Sequence, residues 1–470
     1  MTEAALDLIE DWTPNLAGRI GPRYRAIAEA MEQDIRTGAL PIGSRLPTHR
    51  DLAWRLNVTV GTITRAYKEA TTRGLIDGEI GRGTFVRDRR VRQWGAVADR
   101  GAATTIDFGP NFTPLSAETE DLFRETLAEV ALDRTLGPMS GYEPSGGRIE
   151  HRARLADWIR TTGAPASAET TLITAGVQHG LAIVMTALFE PGDAIVCARL
   201  THPGAKSLAI RRGLRLIPVA SDEDGMLPNA LEAACRLNRP KGVFLIPTLD
   251  NPTSVVMSEH RRAQIAEVAA RQDLIVVEDD VYRGFAPEAF APIASLIPER
   301  TAYLHSSSKH LAPGLRVGAM AAPEAWRPRL QPCLRDMMWM APPSMVEVLI
   351  RWLDNGTAAR MEVEKRAEMA RRQVLASKTL APLRITAHPT GLQAWLELPE
   401  VWWGRNAAGA LLEAGVSVTA GEVFETTSGA GRGHIRMALG CPDSMDILSR
   451  GLTLIQSVLG DSPDRLGDFM

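Results

Sequence analysis

Cysteine is scarce in this chain. Four residues in 470 (Cys197, Cys235, Cys333, Cys441) lie far apart, with no Cys-x-x-Cys and no neighbouring histidine pair. That pattern argues against a disulfide framework or a structural zinc site, and it suits a reducing cytoplasm. Long apolar runs are missing as well: none approaches the ~20 residues that cross a bilayer, so no membrane span is expected. The first eleven residues carry Glu3, Asp7, Glu10 and Asp11 and lack the basic-then-apolar order of a secretory signal. Charge of one sign is absent overall, the net value being −3, and 45% hydrophobic with 23% charged residues is an ordinary globular composition. The length exceeds what one core fills and leads to an expectation of about three domains.

The charge is unevenly placed. Residues 19–92 hold 15 Lys or Arg against 8 Asp or Glu, an excess of +7 that leaves −10 on the remainder. A basic module on an acidic body suits a nucleic-acid-binding head joined to an enzyme-like domain. Charge alone leaves open a chance cluster on a solvated face.

Within that basic module, Ile27, Met31 and Ile35 recur at helical spacing and predict a first helix ended by Gly38. Thr48 is the expected N-cap of a short second helix with Leu52 and Leu56 on one face. Asn57-Val58-Thr59 predicts a tight turn, with Thr59 capping a third helix that runs to Arg73, buries Ile63, Ala66, Tyr67 and Ala70, and stops at Gly74. Leu75-Ile76, an Asp77-Gly78 turn and Thr84-Phe85-Val86, with Gly81-Arg82-Gly83 beside it, predict a small hairpin. Three helices and a hairpin make a winged helix-turn-helix over 19–88. Its third helix would enter the major groove of double-stranded operator DNA by its N-terminal end, bringing Thr59, Thr62 and Arg65 to the duplex. Thr48, Arg45 and Arg50 would approach phosphates or base edges, and Gly81, Arg82 and Gly83 would let the wing backbone come close to the sugar-phosphate chain. A helical protein-interaction domain is the alternative.

Residues 89–105 are charged, then small and polar, and predict a linker. From 106 to 460, short β-rich runs alternate with helical stretches. Runs at 172–174, 194–196, 243–246 and 274–277 predict buried parallel strands, and 181–189 and 260–271 predict helices between them. That order argues for a parallel sheet covered on both faces, with ligands at the strand C-terminal ends. A further set at 391–398, 406–414 and 434–438 predicts a smaller closing subdomain over about 373–460.

The chemistry concentrates around Ser306-Ser307-Ser308-Lys309-His310-Leu311-Ala312-Pro313-Gly314-Leu315-Arg316. An amine that condenses with pyridoxal phosphate must be neutral, fixed, and close to groups that hold a phosphate dianion. Ser306, Ser308 and Arg316 are of that kind, and turn formers between them let the chain double back. Upstream, Gly176-Val177-Gln178 follows a strand and opens a helix, where backbone N–H groups meet a phosphate; an ordinary strand-to-helix turn reads the same way. Asn251, after another strand, is either a phenolate-binding amide or a turn residue before Pro252. Asp279, at the end of a very apolar strand, suits a protonated pyridine nitrogen, with Tyr282 donating to the phenolate; a helix cap is the other possibility there. Arg436, in an apolar strand, is a candidate clamp for a substrate carboxylate.

The run from Leu46 to Ala53, then Thr59 to Tyr67, then Gly81 to Val86, resembles the head of GntR-type regulators. The ordered set Tyr142, Gly176 to Gly180, Asn251, Asp279 with Tyr282, Ser306 to Arg316, and Arg436 resembles fold-type I aminotransferases over about 355 residues. Together they are similar to the MocR subfamily of GntR regulators. The resemblance implies an α/β fold class: an N-terminal winged helix-turn-helix plus a fold-type I PLP-dependent aminotransferase-like domain with a small C-terminal subdomain. It implies that Lys309 forms the Schiff base with pyridoxal 5'-phosphate and that an amine or amino-acid effector displaces it. It also implies that Tyr142 reaches the phosphate of a neighbouring subunit in a homodimer. The residue expected to stack on the cofactor ring is His202, an imidazole whose charge varies with pH. Three functions follow as expectations: a cytoplasmic DNA-binding transcriptional regulator sensing an amine, a working aminotransferase with an accessory head, or a regulator whose body binds no cofactor.

Overall fold

Helical periodicity in the first ninety residues becomes three helices. The structure, a computed structural model, describes residues 12–16, 21–37, 39–40, 44–72, 75–79, 83–86, 105–113, 116–133, 139–288 and 290–460. The chain divides into two compact units, 1–97 and 98–470.

In the first unit, α1 (Arg23–Thr37) buries Ile27 and Met31, and Ile35 packs against the same core. β1 (Arg45–Leu46) leads to α2 (His49–Arg55), whose N-cap Thr48 accepts the backbone N–H of Asp51 at 3.3 Å. Asn57 turns the chain with φ +49°, a conformation asparagine tolerates. Thr59 Oγ1 then accepts the N–H of Thr62 at 3.3 Å and opens α3 (Val60–Thr72). Ile63, Ala66, Tyr67 and Ala70 are buried as the spacing predicts, and the Tyr67 hydroxyl donates to the Pro47 carbonyl at 2.7 Å, locking α3 to the approach of α2. β2 (Ile76–Glu79) and β3 (Gly83–Val86) complete an antiparallel sheet ordered β1-β3-β2.

The hairpin differs from expectation. Asp77 and Gly78 are not a turn: they pair with Phe85 and Thr84 inside the ladder. The ladder thereby gains three further residue pairs, Asp77–Phe85, Gly78–Thr84 and Glu79–Gly83. The expected helix stops Gly38, Arg73 and Gly74, and the wing residues Gly81 and Arg82, lie outside the described residues, as does nearly all of the expected linker.

In the second unit, β4 (Ile106–Asp107) is followed by α4 (Ala117–Leu132), α5 (Ile149–Arg160), β5 (Thr171–Thr174), α6 (Val177–Ala187), β6 (Ala194–Ala198), α7 (Pro203–Arg211) and β7 (Arg215–Val219). A short ribbon of β8 (Ser221–Asp222) and β9 (Gly225–Met226) precedes α8 (Pro228–Asn238), β10 (Gly242–Leu245), α9 (Glu259–Arg271), β11 (Ile275–Asp279), β12 (Thr301–Ser306) and β13 (Gly318–Ala321). The seven-stranded sheet is ordered β5-β13-β12-β11-β10-β6-β7. Ile195, Phe244 and Val277 enter one apolar cluster, while their neighbours Val196, Val243 and Val276 enter another on the opposite face. A sheet buried on both faces is why these strands read as continuous apolar runs.

The sheet is not wholly parallel. β13 runs antiparallel to both β12 and β5. It follows the Lys309 turn directly, so the chain returns beside β12 without a crossover helix, and a strand that returns by a tight turn must run antiparallel.

Next come α10 (Arg327–Met338), α11 (Pro343–Asp354) and α12 (Thr357–Thr379). The C-terminal subdomain then carries β14 (Ile385–Ala387), β15 (Gln393–Glu397), α13 (Gly404–Glu413), β16 (Val416–Ser417), β17 (Thr419–Ala420), β18 (His434–Ala438) and α14 (Met445–Gly460). Its sheet is β14-β15-β18-β17, all antiparallel. β4, from the start of the unit, pairs in parallel with β16, so the first strand belongs structurally with the last subdomain.

Candidate active site

Five loops leave the C-terminal ends of β5, β6, β10, β11 and β12, and the expected site residues other than Tyr142 and Arg436 sit on them or at those strand ends. At β5, Gly176 adopts φ +92° before α6. A Cβ there would lie 2.8 Å from Arg316 Nη2, so only glycine lets the guanidinium pass. Gly318 is under a matching constraint, since its Cβ would come within 2.8 Å of the Gly176 Cα.

Arg316 occupies left-handed backbone space, φ +50°, which swings its side chain back across the turn. There it donates to the Ala175 carbonyl at 2.7 Å and to Ser308 Oγ at 3.2 Å. Ser308 Oγ lies 2.9 Å from Ser306 Oγ, which donates to the Val317 carbonyl at 3.1 Å. A guanidinium, two hydroxyls and the N-terminus of α6, whose first N–H groups have no partner within the helix, form one receptor for a dianion.

Lys309 lies on the turn after β12, half-buried, and its amine donates to the Asn111 carbonyl. Burial first, then the nearby Arg436 charge, pushes its pKa down from 10.5 to about 8; Asp279 opposes that shift. Asp279 is buried at the end of β11, where loss of water raises its pKa to about 7 although the Val281 N–H at 3.1 Å stabilises its charge. Tyr282, buried beyond it, is held as the neutral phenol chiefly by burial and receives the Asn111 amide at 3.0 Å.

Arg436 comes from β18 in the C-terminal subdomain and is buried. It donates to Asn251 Oδ1 at 3.3 Å, to Thr419 Oγ1 at 3.1 Å and to the Gly109 carbonyl, while its Nε has no hydrogen-bond partner. Burial lowers its pKa to about 10, which leaves it cationic. An unpartnered N–H on a buried cation is a group built to meet an anion.

His202 sits among these residues, and its charge does not vary over the working range. Burial, with Lys309 and Arg436 adding positive potential, lowers its pKa to about 3. Asn251 Nδ2 lies 3.3 Å from His202 Nδ1, and His202 Nε2 lies 3.3 Å from Gln178 Oε1. Gln178 Nε2 donates on to the Gly204 carbonyl. These contacts form a consistent relay with the proton on Nε2 and the ring neutral. The expectation of a pH-variable imidazole is therefore corrected.

Val177 opens α6 beside Gln178. Tyr142 stands apart from the cluster: it is 84% exposed and packs against Trp339 with ring centroids 5.1 Å apart. In the first unit, Arg45, Thr48, Arg50, Thr59 and Arg65 are exposed and Thr62 is half-buried. Gly83 begins β3.

Sequence reasoning missed Asn111, Thr113, Lys365 and Gln393. Asn111 Nδ2 donates both to Tyr282 and to Gln393 Oε1, residues 171 and 282 positions away. No local signal reports such distant partners. Lys365 had one: Ala358, Met361, Lys365 and Met369 share the buried face of α12, and a lysine within an apolar stripe asks for an explanation.

Among the described residues no group of His, Cys, Asp and Glu is arranged to hold a metal ion, and no helix is long and apolar enough to cross a membrane.

Residues 104–451 match the model for aminotransferase class I and II, and residues 23–86 match that for bacterial regulatory proteins of the gntR family. The chain is 28% identical over 450 residues to the uncharacterized HTH-type transcriptional regulator YdeF of Bacillus subtilis, covering 96% of this chain and 97% of the relative. It is 30% identical over 312 residues to 2-aminoadipate transaminase of Thermus thermophilus, 63% of this chain and 76% of that one. Among solved structures, α-aminoadipate aminotransferase from Thermus thermophilus, complexed with N-(5'-phosphopyridoxyl)-L-leucine, superposes with a TM-score of 0.70 at 24% identity, covering 78% of this chain and 94% of the other.

Proposed function

The chain belongs to the class I and II aminotransferase family and carries a gntR-type head; from that premise we propose that it is a pyridoxal-phosphate-dependent transcriptional regulator of MocR type. Its body senses an amine or amino acid, and its head binds double-stranded operator DNA. The observation that carries this reading is the convergence of an amine of lowered pKa, a buried carboxylate, a serine-arginine anion receptor and a buried carboxylate clamp at one sheet edge.

Bound here, pyridoxal phosphate supplies an aldehyde that condenses with amines and a ring that draws electrons from the attached carbon. The chain's own residues do the rest. Ser306, Ser308, Arg316 and the Gly176–Gln178 turn would hold the phosphate, Asp279 would keep a proton at the ring nitrogen, Tyr282 and Asn251 would hold the phenolic oxygen, and His202 would stack on the ring. Arg436 takes the effector's carboxylate. Tyr142, exposed on its own chain, suits a role across the interface of a homodimer, completing a partner's phosphate site. The cytoplasm is the compartment where such a regulator meets DNA.

In the head, Arg45, Arg50 and Arg65, the capped N-terminus of α3 and the Gly81-Arg82-Gly83 wing bear on the duplex. Thr48, Thr59 and Thr62 serve the helix starts, which fixes where those arginines stand. An effector alters DNA binding only through differential affinity for two arrangements of the protein. The test is binding to the DNA upstream of the chain's own gene, with and without pyridoxal phosphate and candidate amines. A sequence preference that changes with ligand is expected; indifference to sequence in both states would remove the regulator reading.

A working aminotransferase is the second reading, favoured by the completeness of the site and by the transaminase relative. Its signature is steady conversion of a keto acid to an amino acid. Single-turnover behaviour across a broad panel of amino donors decides against it.

A further inference from the structure

Lys309 is held at both ends by one short stretch, residues 111–113, which lies almost 200 positions upstream and is given no contact with the cofactor above. Its amine donates to the Asn111 carbonyl, and its own carbonyl accepts the Thr113 hydroxyl at 3.1 Å. That hydroxyl has one proton, given to Lys309, and lone pairs free to accept. Lys365 Nζ fills that role from α12, 3.0 Å from Thr113 Oγ1, and donates also to the Leu311 carbonyl. One turn earlier on α12, Glu362 faces His310 Nε2 at 3.4 Å. The helix therefore grips Leu311, two residues after Lys309, and through Thr113 the lysine's own carbonyl.

Lys365 is not a surface cation. It is buried, and loss of water alone lowers its pKa to about 8. Burying a lysine on an apolar stripe costs stability unless its donors are used. Here two are used, on the two chain segments that flank the Lys309 carbonyl.

We propose that Thr113, clamped by Lys365, is a positioning residue for Lys309: the pair fixes the turn so that the amine stays seated against the Asn111 carbonyl and shielded from water. The inference deepens the proposed function and rests on its assignment of Lys309 to the cofactor.

The test uses the full-length chain stripped of cofactor, and follows the uptake rate of added pyridoxal phosphate by absorbance across a pH series. Thr113→Val removes the hydroxyl at constant shape and changes no charge, so Asp279, Arg316 and Arg436 still face the amine. Uptake near pH 7 is expected to slow about tenfold, the effect of one buried hydrogen bond. The midpoint of the rate-against-pH profile should move upward, since water admitted to the amine favours its charged form. Thr113→Ser should restore both. Lys365→Met should reproduce the valine variant, and the double variant should be little worse than either single one. A valine variant with the parent's rate and midpoint, or a serine variant as impaired as valine, overturns the proposal. A parent chain that takes up no cofactor overturns both this assignment and the reading beneath it.

Discussion

The two units place their polar candidates in opposite solvents. In the head, Arg45, Arg50 and Arg65 stand in water on a scaffold whose core is apolar. In the body, Asp279, Ser306, Ser308 and Arg436 are buried, and each is hydrogen-bonded to protein groups packed around it. Exposed charges act at a distance and are screened by salt. Buried ones act over single hydrogen bonds and are tuned by whatever lies within a few ångströms. The same chain therefore holds one site governed by ionic strength and another governed by geometry.

Lys309→Ala gives the sharpest break. The body should lose cofactor altogether, read as loss of the bound chromophore, while affinity for a non-specific duplex at low salt changes by less than about threefold, because the head's charges are untouched. Salt tests the other side. Raising it from about 50 to about 200 mM should cost DNA affinity on the order of a thousandfold for some six phosphate contacts, with cofactor retention nearly unchanged. Arg50→Ala and Arg65→Ala should each lower the log-log slope by about one.

Acidity sharpens the contrast further. With its pKa lowered to about 8, Lys309 holds more neutral amine near pH 7 than a solvated lysine does. The neutral form grows as pH rises through the lowered value, so cofactor uptake should climb with a midpoint near pH 8 and level off about a unit above it. Arg436→Gln should weaken effector binding by about ten- to a hundredfold, the worth of charge-assisted hydrogen bonds. It should also move that plateau upward, since one positive neighbour no longer opposes the ammonium. The smallest effect lies in the head: Thr48→Ala removes the cap on α2 and should cost about 1 kcal/mol of stability, visible as a lowered melting temperature.

Much of this was legible before any coordinates. The helices of the head follow from a 3.6-residue period and from threonines that both mark and cap the starts. In the body, the lysine, the aspartate and the glycine turn sit at strand ends, where sequence motifs are contiguous. What escaped was non-local. β1 has two residues, too few to carry a pattern, and β13 looks like any apolar strand until its antiparallel partners are known. Asp77-Gly78 has the composition of a turn, yet both residues pair inside the ladder, which composition alone does not show. Asn111 and Gln393 lie on segments brought together only by folding.

The pairing of β4 with β16 has a mechanical corollary. Ile106 and Asp107 lie alongside Val416 and Ser417 in parallel, and the Ile106 and Phe108 N–H groups donate to the Gly415 and Ser417 carbonyls, so the two strands move as one. Two residues further along, the Gly109 carbonyl rests on the Arg436 guanidinium. A displacement of β4 is thus passed to the Arg436 side chain of the small subdomain.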